Sequence, residues 1–278
     1  MPELPEVEVT RRALAPYLEG LSLRAVHVRQ RRLRWPVPAG LTGLLAGQPL
    51  LQLQRRGKYL LWQFAPGTLI SHLGMSGSWR LHLHQPPPPG KHDHVDLEFA
   101  AHDGVRVARL TDPRRFGALL WHPRQRGAVE RHALLAALGV EPFDPRFDAA
   151  YLQARLRDRR APIKHVLLAG DVVVGVGNIY ASECLFRAGI DPRTPAHRLG
   201  PQRCARLVAA LRAVLAEAIE AGGSTLRDFI GADGGAGYFM LKAQVYGRAG
   251  WPCCVCGARI RRIVQGQRAT YFCPRCQR

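Results

Sequence analysis

The N-terminus places a secondary amine next to two carboxylates. Pro2 follows Met1, so removal of Met1 would leave the proline nitrogen as a free amine, with Glu3 and Glu6 within the next turn of chain. A free α-amino group has a pKa near ~8, and the positive end of a helix that begins here would favour its neutral form. Such an amine can attack the aldehyde carbon of a sugar, while Glu3 moves protons to and from a sugar oxygen. An ordinary helix start, with proline at the first helical position followed by acids, is the alternative interpretation.

Most of the cysteines are crowded near the end of the sequence. Four of them form two pairs with sixteen residues between the pairs: Cys253 and Cys256, then Cys273 and Cys276. This is the spacing with which two knuckles supply four thiolates to one tetrahedral zinc ion. Cys254 is an extra thiol in the first knuckle, and it is left out of the site because only one residue separates it from Cys256. Four thiolates leave no position for water, so the zinc is expected to be structural and the chemistry to lie elsewhere.

The charge of the chain indicates a polyanionic partner. Forty Lys and Arg residues against 21 Asp and Glu give a net charge of +19, which is typical of proteins that bind DNA or RNA. A run of about 18 apolar residues, which a membrane span would need, is absent from the sequence, and the N-terminus lacks a signal-peptide pattern. Cys184 and Cys204 are isolated, so the cysteines favour a cytoplasmic protein with a metal site over a disulfide scaffold.

A glycine-rich segment, residues 174–180, joins two predicted helices. It differs from a dinucleotide-binding loop because Tyr180 replaces the third glycine and because the segment follows a helix instead of a strand. Two glycines before a helix would instead let backbone amides and the Asn178 side chain approach a phosphate, and Lys164 from the preceding helix could reach the same group. A purely structural N-cap is the alternative role for Asn178.

Two turns and one hairpin carry further candidates for nucleic-acid contact. Met75 stands in a glycine-rich turn, and Arg114 and Phe116 stand in a second turn. Apolar wedges on loops separate stacked bases, and the donors of an arginine match the acceptor-rich pairing edge of an unpaired cytosine. Arg268, between the two cysteine pairs, is the candidate for an inserted phosphate contact. For each of these side chains taken alone, packing or a role in a turn is the alternative interpretation. For the zinc ribbon, the alternative is binding to another protein.

The apolar pattern changes character along the chain. From residue 22 to about 121 it alternates in some eight short segments, which predicts an N-terminal helix followed by an antiparallel β-sandwich. After residue 148 apolar residues recur at spacings of three and four, which predicts helices. The fold class is therefore α+β, with five segments: a catalytic domain at 1–135, a linker at 136–148, a helical domain at 149–230, a loop and connector at 231–250 and a zinc ribbon at 251–278.

The assembled motifs resemble one family along the whole chain. The matching segments are residues 1–8, 55–60, 72–78, 91–96, 111–117, 174–183 and 273–276. Together they resemble bacterial formamidopyrimidine-DNA glycosylases, repair enzymes for oxidised purines that also cut the strand as lyases. The resemblance implies a helix-two-turn-helix domain beside the zinc ribbon, with duplex DNA in a cleft between the two domains. It also implies a monomer that acts in the bacterial cytoplasm, at the nucleoid, on oxidised purines preferably opposite cytosine.

The resemblance implies roles for individual residues. Pro2 would displace the damaged base and form an iminium, Glu3 would help to open the sugar ring, and Glu6 would support the site. β- and δ-elimination would then cut the strand on both sides of the lesion. Lys58 is expected to act in the catalytic group as a phosphate contact next to the lesion.

Other matching positions imply contacts with DNA. Lys164, Asn178 and Arg268 match positions that grip phosphates around the lesion, and His92 matches another backbone contact. Met75, Arg114 and Phe116 match the side chains that fill the gap left by the extruded nucleotide, with Arg114 facing the orphaned cytosine.

One segment departs from the family pattern. In residues 230–238, expected to close over the flipped base, Gly235 and Ala236 occupy places where relatives often carry Lys and Pro. Recognition of the lesion there is left to backbone amides.

Two rival hypotheses remain open from the sequence. The endonuclease VIII type shares the amine chemistry but prefers oxidised pyrimidines, whereas Glu3, Glu6 and the gap-filling set favour the purine enzyme. A zinc-containing DNA-binding regulator without catalysis is the rival from another class, and it predicts no covalent adduct with DNA.

Overall fold

The computed structural model describes residues 1–224 and 238–278, which form two compact units. The first unit comprises Met1–Ala136 together with the described residues of 221–238, and the second comprises Ala137–Glu220 and Phe239–Arg278. Residues 225–237 lie outside the described part of the chain. They include Gly235 and Ala236 of the loop that is expected to close over the flipped base.

The first unit contains a long helix, two short helices and eight strands. They are α1 (Leu4–Leu18), β1 (Leu23–Val28), α2 (Leu41–Leu45), β2 (Gln52–Arg56), β3 (Tyr59–Phe64), β4 (Gly67–His72), β5 (Ser78–His82), β6 (Asp93–Ala101), β7 (Gly104–Thr111), β8 (Ala118–Pro123) and α3 (Ala133–Ala136). The strands form two antiparallel four-stranded sheets, ordered β1-β6-β7-β5 and β2-β3-β4-β8. The predicted antiparallel sandwich is confirmed.

An apolar core with residues from both sheets lies in this unit. Trp62 of β3 and Trp79 of β5 are fully buried and meet edge to face, with their ring centroids 5.1 Å apart. The indole N–H of Trp79 donates to the hydroxyl of Ser71 on β4 at 2.8 Å, so this buried polar group has a partner. Helix α1 packs on strands of both sheets through a buried stripe that includes Leu14 and Leu18. The N-terminal residues are therefore held by a rigid scaffold.

The second unit contains four helices and one hairpin. They are α4 (Ala149–Leu156), α5 (Ile163–Ala169), α6 (Asn178–Arg187), α7 (Pro201–Glu220), β9 (Arg261–Gln265) and β10 (Arg268–Phe272). The sequence signals for the helix ends are confirmed: Pro162 is the N-cap of α5, Pro201 begins α7, and Gly170 ends α5 in the left-handed conformation with φ of 76°. Among the described residues, no helix has the length and apolar character needed to cross a membrane.

The hairpin is attached firmly to the helices. Glu183 of α6 is buried, and its carboxylate accepts hydrogen bonds from the backbone N–H groups of Gln244, Val245 and Tyr246 at 2.7 to 3.0 Å. Phe186 of α6 joins the small apolar cluster beneath the cysteine pairs. One helix thus holds both the connector that enters the ribbon and the ribbon's base.

Candidate functional site

The first residues of the chain form a fixed, acidic helix start. Glu3 is the N-cap of α1, and its backbone N–H donates to Oε2 of Glu6 at 2.7 Å. The two residues form a reciprocal capping box, and their side chains are buried, with 2% and 1% exposed. Pro2 therefore precedes the cap and is not the first helical residue; Pro5 is the proline in the first turn. This places the Pro2 nitrogen just outside the positive end of the helix.

Glu6 also holds the chain that returns to this site from the second half of the sequence. Its Oε1 accepts hydrogen bonds from the backbone N–H and the hydroxyl of Ser224, at 2.7 and 2.8 Å. Gly223 has φ of +84°, and a Cβ there would lie 3.0 Å from the same oxygen, so this approach favours glycine. Three donors thus converge on the Glu6 carboxylate, which fits a supporting role.

The turn that carries Lys58 is tied to α1. Arg55 of β2 donates from Nε to Oε2 of Glu8 at 3.1 Å and from Nη1 to the carbonyl oxygen of Gly57 at 3.1 Å. Gly57 and Lys58 form the turn between β2 and β3. The helix that begins with Glu3 and the turn that carries Lys58 are therefore connected by one ion pair.

The charge on Glu8 predicts a pH dependence of stability. Burial raises the pKa of this carboxyl, but hydrogen bonds and positive charge from Arg11, Arg12 and Arg55 outweigh it and lower the pKa from 4.5 to about 2. A carboxyl with a lowered folded-state pKa stabilises the protein above about pH 4.5, and that contribution is lost as the pH falls through about 2. Glu8→Gln is expected to cost about 1 to 3 kcal/mol at pH 7. The difference from wild type should shrink between pH 4.5 and pH 2 in denaturant titrations, whereas Glu130→Gln at an exposed position should differ little throughout. A Glu8→Gln deficit that stays constant with pH would contradict this assignment.

Met75, Arg114 and Phe116 lie together at the ends of neighbouring strands. Met75 is 39% exposed and Phe116 is 44% exposed, although both are large apolar side chains. The Arg114 guanidinium lies over the Phe116 ring, 5.0 Å from its centroid. The backbone carbonyl of His92 accepts a hydrogen bond from the N–H of Asp112, which begins the turn that carries Arg114. The structure thus brings four of the predicted contact residues into one region of the first unit.

His72 lies beside the turn that carries Lys58, and in the sequence it stands out only as part of a motif. It pairs in register with Tyr59, the residue after Lys58, and their rings lie 4.8 Å apart. Burial, followed by the positive charges of Lys58 and Arg34, lowers the pKa of His72 to about 4, so the imidazole is neutral at pH 7. Its Nδ1 accepts from the N–H of Gly74 at 3.0 Å, which leaves the proton on Nε2 as a donor. In the sequence, the signal that could have pointed to His72 was its position immediately before the glycine-rich turn.

Lys164, Asn178 and Arg268 meet at the ribbon hairpin in the second unit. The Lys164 Nζ donates to the carbonyl oxygen of Ala269 at 3.1 Å and to the hydroxyl of Thr270 at 2.7 Å. The Asn178 Nδ2 donates to the same Ala269 oxygen at 3.0 Å. Arg268, the residue before Ala269, is exposed. Two helices thus hold β10 directly beside the predicted phosphate-binding arginine.

One of these placements differs from the sequence expectation, and another excludes the alternative role that the sequence left open. Lys164 was expected to face a phosphate, but its side chain is fully buried because the hairpin, more than 100 residues later, covers it. Its ammonium group holds the hairpin in place. Asn178 is not an N-cap: Gly177 takes that position in α6, and the Asn178 side chain points to the hairpin instead.

The four paired cysteines form one compact cluster. The sulfur atoms of Cys253, Cys256, Cys273 and Cys276 lie within 4.8 Å of one another, with Sγ to Sγ distances of 3.9 and 3.4 Å across two of the pairs. A tetrahedral zinc ion with bonds of about 2.3 Å needs sulfur atoms about 3.8 Å apart, so the donor set fits zinc. Cys254 is exposed and lies outside the cluster. The metal is one structural zinc ion.

Known protein families match the sandwich, the helical domain and the zinc ribbon of this chain. Residues 1–119 match the family model of the formamidopyrimidine-DNA glycosylase N-terminal domain, 138–230 match the H2TH domain of the same enzymes, and 250–278 match a zinc finger found in FPG and IleRS. The formamidopyrimidine-DNA glycosylase of Bordetella avium is 60% identical over 279 residues, with 100% of both chains covered. The chain belongs to the formamidopyrimidine-DNA glycosylase family.

Solved structures of the glycosylase family have the same fold. The MutM (Fpg) protein of Thermus thermophilus is 41% identical with a TM-score of 0.86, covering 99% of this chain and 98% of that chain. A mutant Fpg of Lactococcus lactis, in complex with a Fapy-dG containing DNA, is 33% identical with a TM-score of 0.90 and 100% coverage of both chains. The α+β fold, the H2TH domain and the zinc ribbon expected from the sequence are confirmed as those of the glycosylase family.

Proposed function

We propose that this protein removes oxidised purines from duplex DNA and cuts the strand at the resulting site, in base excision repair. The observation that carries the proposal is the N-terminal constellation: Pro2 precedes the cap of α1, and Glu3 and Glu6 are buried and mutually hydrogen-bonded beside it. Membership of the glycosylase family along the full chain supports the same reaction. The mature enzyme would require a free Pro2 nitrogen.

The reaction follows from the roles that these groups can take. The Pro2 nitrogen attacks C1′ of the lesion nucleotide, its bond to C1′ forms as the glycosidic bond breaks, and the base leaves with the bonding electrons and takes up a proton. The Pro2 nitrogen gives up its own proton, so that its lone pair is available for the next step. Glu3 donates a proton to O4′ as the O4′–C1′ bond opens, and the nitrogen and C1′ become an iminium. Loss of a C2′ proton then expels the 3′ phosphate, and a second elimination expels the 5′ phosphate. Glu6, engaged by Glu3 and Ser224, supports the helix start.

Contacts with DNA are assigned to both units. In the first unit Met75, Arg114 and Phe116 would fill the gap left by the extruded nucleotide, and Arg114 would donate to the orphaned cytosine. Their exposure on two turns that lie side by side supports this role. Extrusion costs a few kcal/mol, which the filled gap would offset.

Phosphate contacts are assigned from the positions that match the family pattern. Lys58, His92, Asn178 and Arg268 would hold the backbone around the lesion. Lys164 would act through the hairpin, because its ammonium group is buried against Ala269 and Thr270.

Replacement of Arg268 by alanine is expected to reduce the salt dependence of DNA binding. Removal of one phosphate interaction lowers the slope of log K against log salt by roughly 0.9. Arg146→Ala is the matched control, because Arg146 is exposed and paired with Asp144. Titration of abasic-site duplex at several salt concentrations measures both slopes. An unchanged slope for Arg268→Ala would remove Arg268 from the phosphate contacts.

Substrate class is tested by comparing two lesions in one sequence context. The proposal predicts a higher kcat/KM on duplex with 8-oxoguanine opposite cytosine than on duplex with thymine glycol. A preference for thymine glycol would favour the endonuclease VIII type instead. Tight binding to both duplexes without strand cleavage would favour a DNA-binding regulator.

A further inference from the structure

The turns that carry Met75 and Phe116 meet at one buried carboxylate. Asp112 follows β7 and is 0% exposed. Its Oδ1 accepts hydrogen bonds from the hydroxyl of Ser76 at 2.8 Å and from the backbone N–H of Arg114 at 3.3 Å. Its Oδ2 accepts from the backbone N–H of Gly117 at 2.8 Å. Donors from both turns thus converge on a single side chain.

The backbones of the two turns are also in direct contact. Gly74 has φ of +64°, and a Cβ there would lie 2.3 Å from the carbonyl carbon of Phe116. A Cβ on Gly117 would lie 3.0 Å from Oδ2 of Asp112 and from the carbonyl oxygen of His72. Gly74 has no room for a side chain unless the turns separate, and a side chain on Gly117 would displace its neighbours by a few tenths of an ångström. The two turns, residues 73–77 and 112–117, therefore pack as one body. Together they form a wedge.

Hydrogen bonds through Ser76 and through the Asp112 backbone complete the wedge. The hydroxyl oxygen of Ser76 accepts from the N–H of Arg114 at 3.2 Å while its proton goes to Asp112. The carbonyl oxygen of Asp112 accepts a hydrogen bond from Nε2 of the buried His94 at 2.8 Å. The backbone N–H of Asp112 donates to the carbonyl oxygen of His92 at 2.9 Å. The wedge is thus anchored to the start of β6 as well.

Separation of the two turns would break the hydrogen bond from Ser76 to the buried carboxylate and leave it with only the donors of its own turn, the N–H groups of Arg114 and Gly117. A buried charged group is stable only while it is hydrogen-bonded, and removal of its partners carries the full cost of desolvation. Met75 and Phe116 project from the wedge while the backbone beneath them is fixed. A wedge fixed before DNA binds does not have to be ordered during insertion, which lowers the cost of binding.

We propose that Asp112 is a positioning residue that locks the two turns into one preformed wedge, with Ser76 as its bridge. The lock itself depends only on the contacts described. Its consequence, correct placement of Arg114 opposite the orphaned base, rests on the proposed function.

Hydrogen exchange tests the lock without any DNA. Asp112→Asn keeps the shape of the side chain but replaces one carboxylate oxygen by an NH2 group. That group cannot accept the backbone N–H hydrogen bond that the oxygen accepted. Amide exchange is expected to accelerate at least tenfold in both turns, with little change in β3 and β4. Asp103→Asn, at an exposed aspartate on the turn before β7, is the matched control and should match wild type. Ser76→Ala provides a second, milder variant and should also loosen both turns. Acceleration confined to one turn, or to neither, would overturn the proposal.

Binding selectivity tests the consequence. Wild type and Asp112→Asn are compared on duplexes with a tetrahydrofuran abasic analogue opposite cytosine or opposite adenine. A misplaced Arg114 should reduce the preference for cytosine at least fivefold, and Arg114→Ala should reduce it similarly. Equal weakening on both duplexes by Asp112→Asn would mean a general structural role and would overturn the positioning role. Absence of any cytosine preference in wild type would count against the proposed recognition of the orphaned base, while the exchange experiment would still decide the lock.

Discussion

A protein in which Pro2 remains acylated is expected to lose covalent capture of abasic DNA. Insertion of a glutamine between Met1 and Pro2 keeps the Pro2 nitrogen in a peptide bond, where its lone pair is delocalised and cannot attack C1′. Strand cleavage at an abasic site should fall on the order of 10³-fold or more, the scale on which covalent enzymes lose rate without their nucleophile. Borohydride trapping followed by denaturing electrophoresis measures the covalent complex directly.

Two controls separate loss of the amine from loss of the fold. Pro2→Gly keeps a terminal amine, so a trapped complex should persist in reduced yield. Binding of the extended protein to a tetrahydrofuran duplex reports whether the DNA-contacting surfaces survive. Cleavage by the extended protein within about tenfold of wild type would place the nucleophile elsewhere.

Loss of one zinc thiolate is expected to abolish both zinc retention and tight DNA binding. In Cys256→Ser the tetrahedral set of four sulfurs becomes three, and the binding free energy of a structural zinc, about 10 to 16 kcal/mol, is folding free energy for a domain of this size. The hairpin that presents Arg268 depends on this domain. We expect zinc content to fall from one ion to nearly none per chain, and affinity for abasic DNA to fall at least a hundredfold.

Cys254 offers a matched control within the same knuckle. Its side chain is exposed and outside the four-sulfur cluster. Cys254→Ser should keep one zinc ion per chain and wild-type affinity, as measured by elemental analysis and by DNA titration. Zinc loss in Cys254→Ser, or zinc retention in Cys256→Ser, would contradict the assignment of ligands.

The parts of the site that depend on local spacing were predictable from the sequence. The cysteine pairs, the position of Pro2 next to two acids, and the strand and helix periods each depend on residues close together in the chain. The sandwich and the thiolate cluster found in the structure follow from these patterns.

The parts that depend on distant contacts were not predictable. The burial of Lys164 is decided by Ala269 and Thr270, which lie far along the chain. In the sequence Asp112 is simply the residue before Pro113, and only the structure brings Ser76 against it. Ser224 likewise reaches Glu6 across 218 residues of sequence. Periodicity carries no information about such pairs.

Identification of the residue joined to deoxyribose shows whether Pro2 is the nucleophile. Wild-type protein is mixed with duplex that contains 8-oxoguanine opposite cytosine, reduced with borohydride, digested and analysed by tandem mass spectrometry. We expect a reduced adduct on the nitrogen of an N-terminal Pro2 from which Met1 has been removed. An adduct on the side chain of a lysine such as Lys58, with the Pro2 nitrogen unmodified, would contradict this expectation.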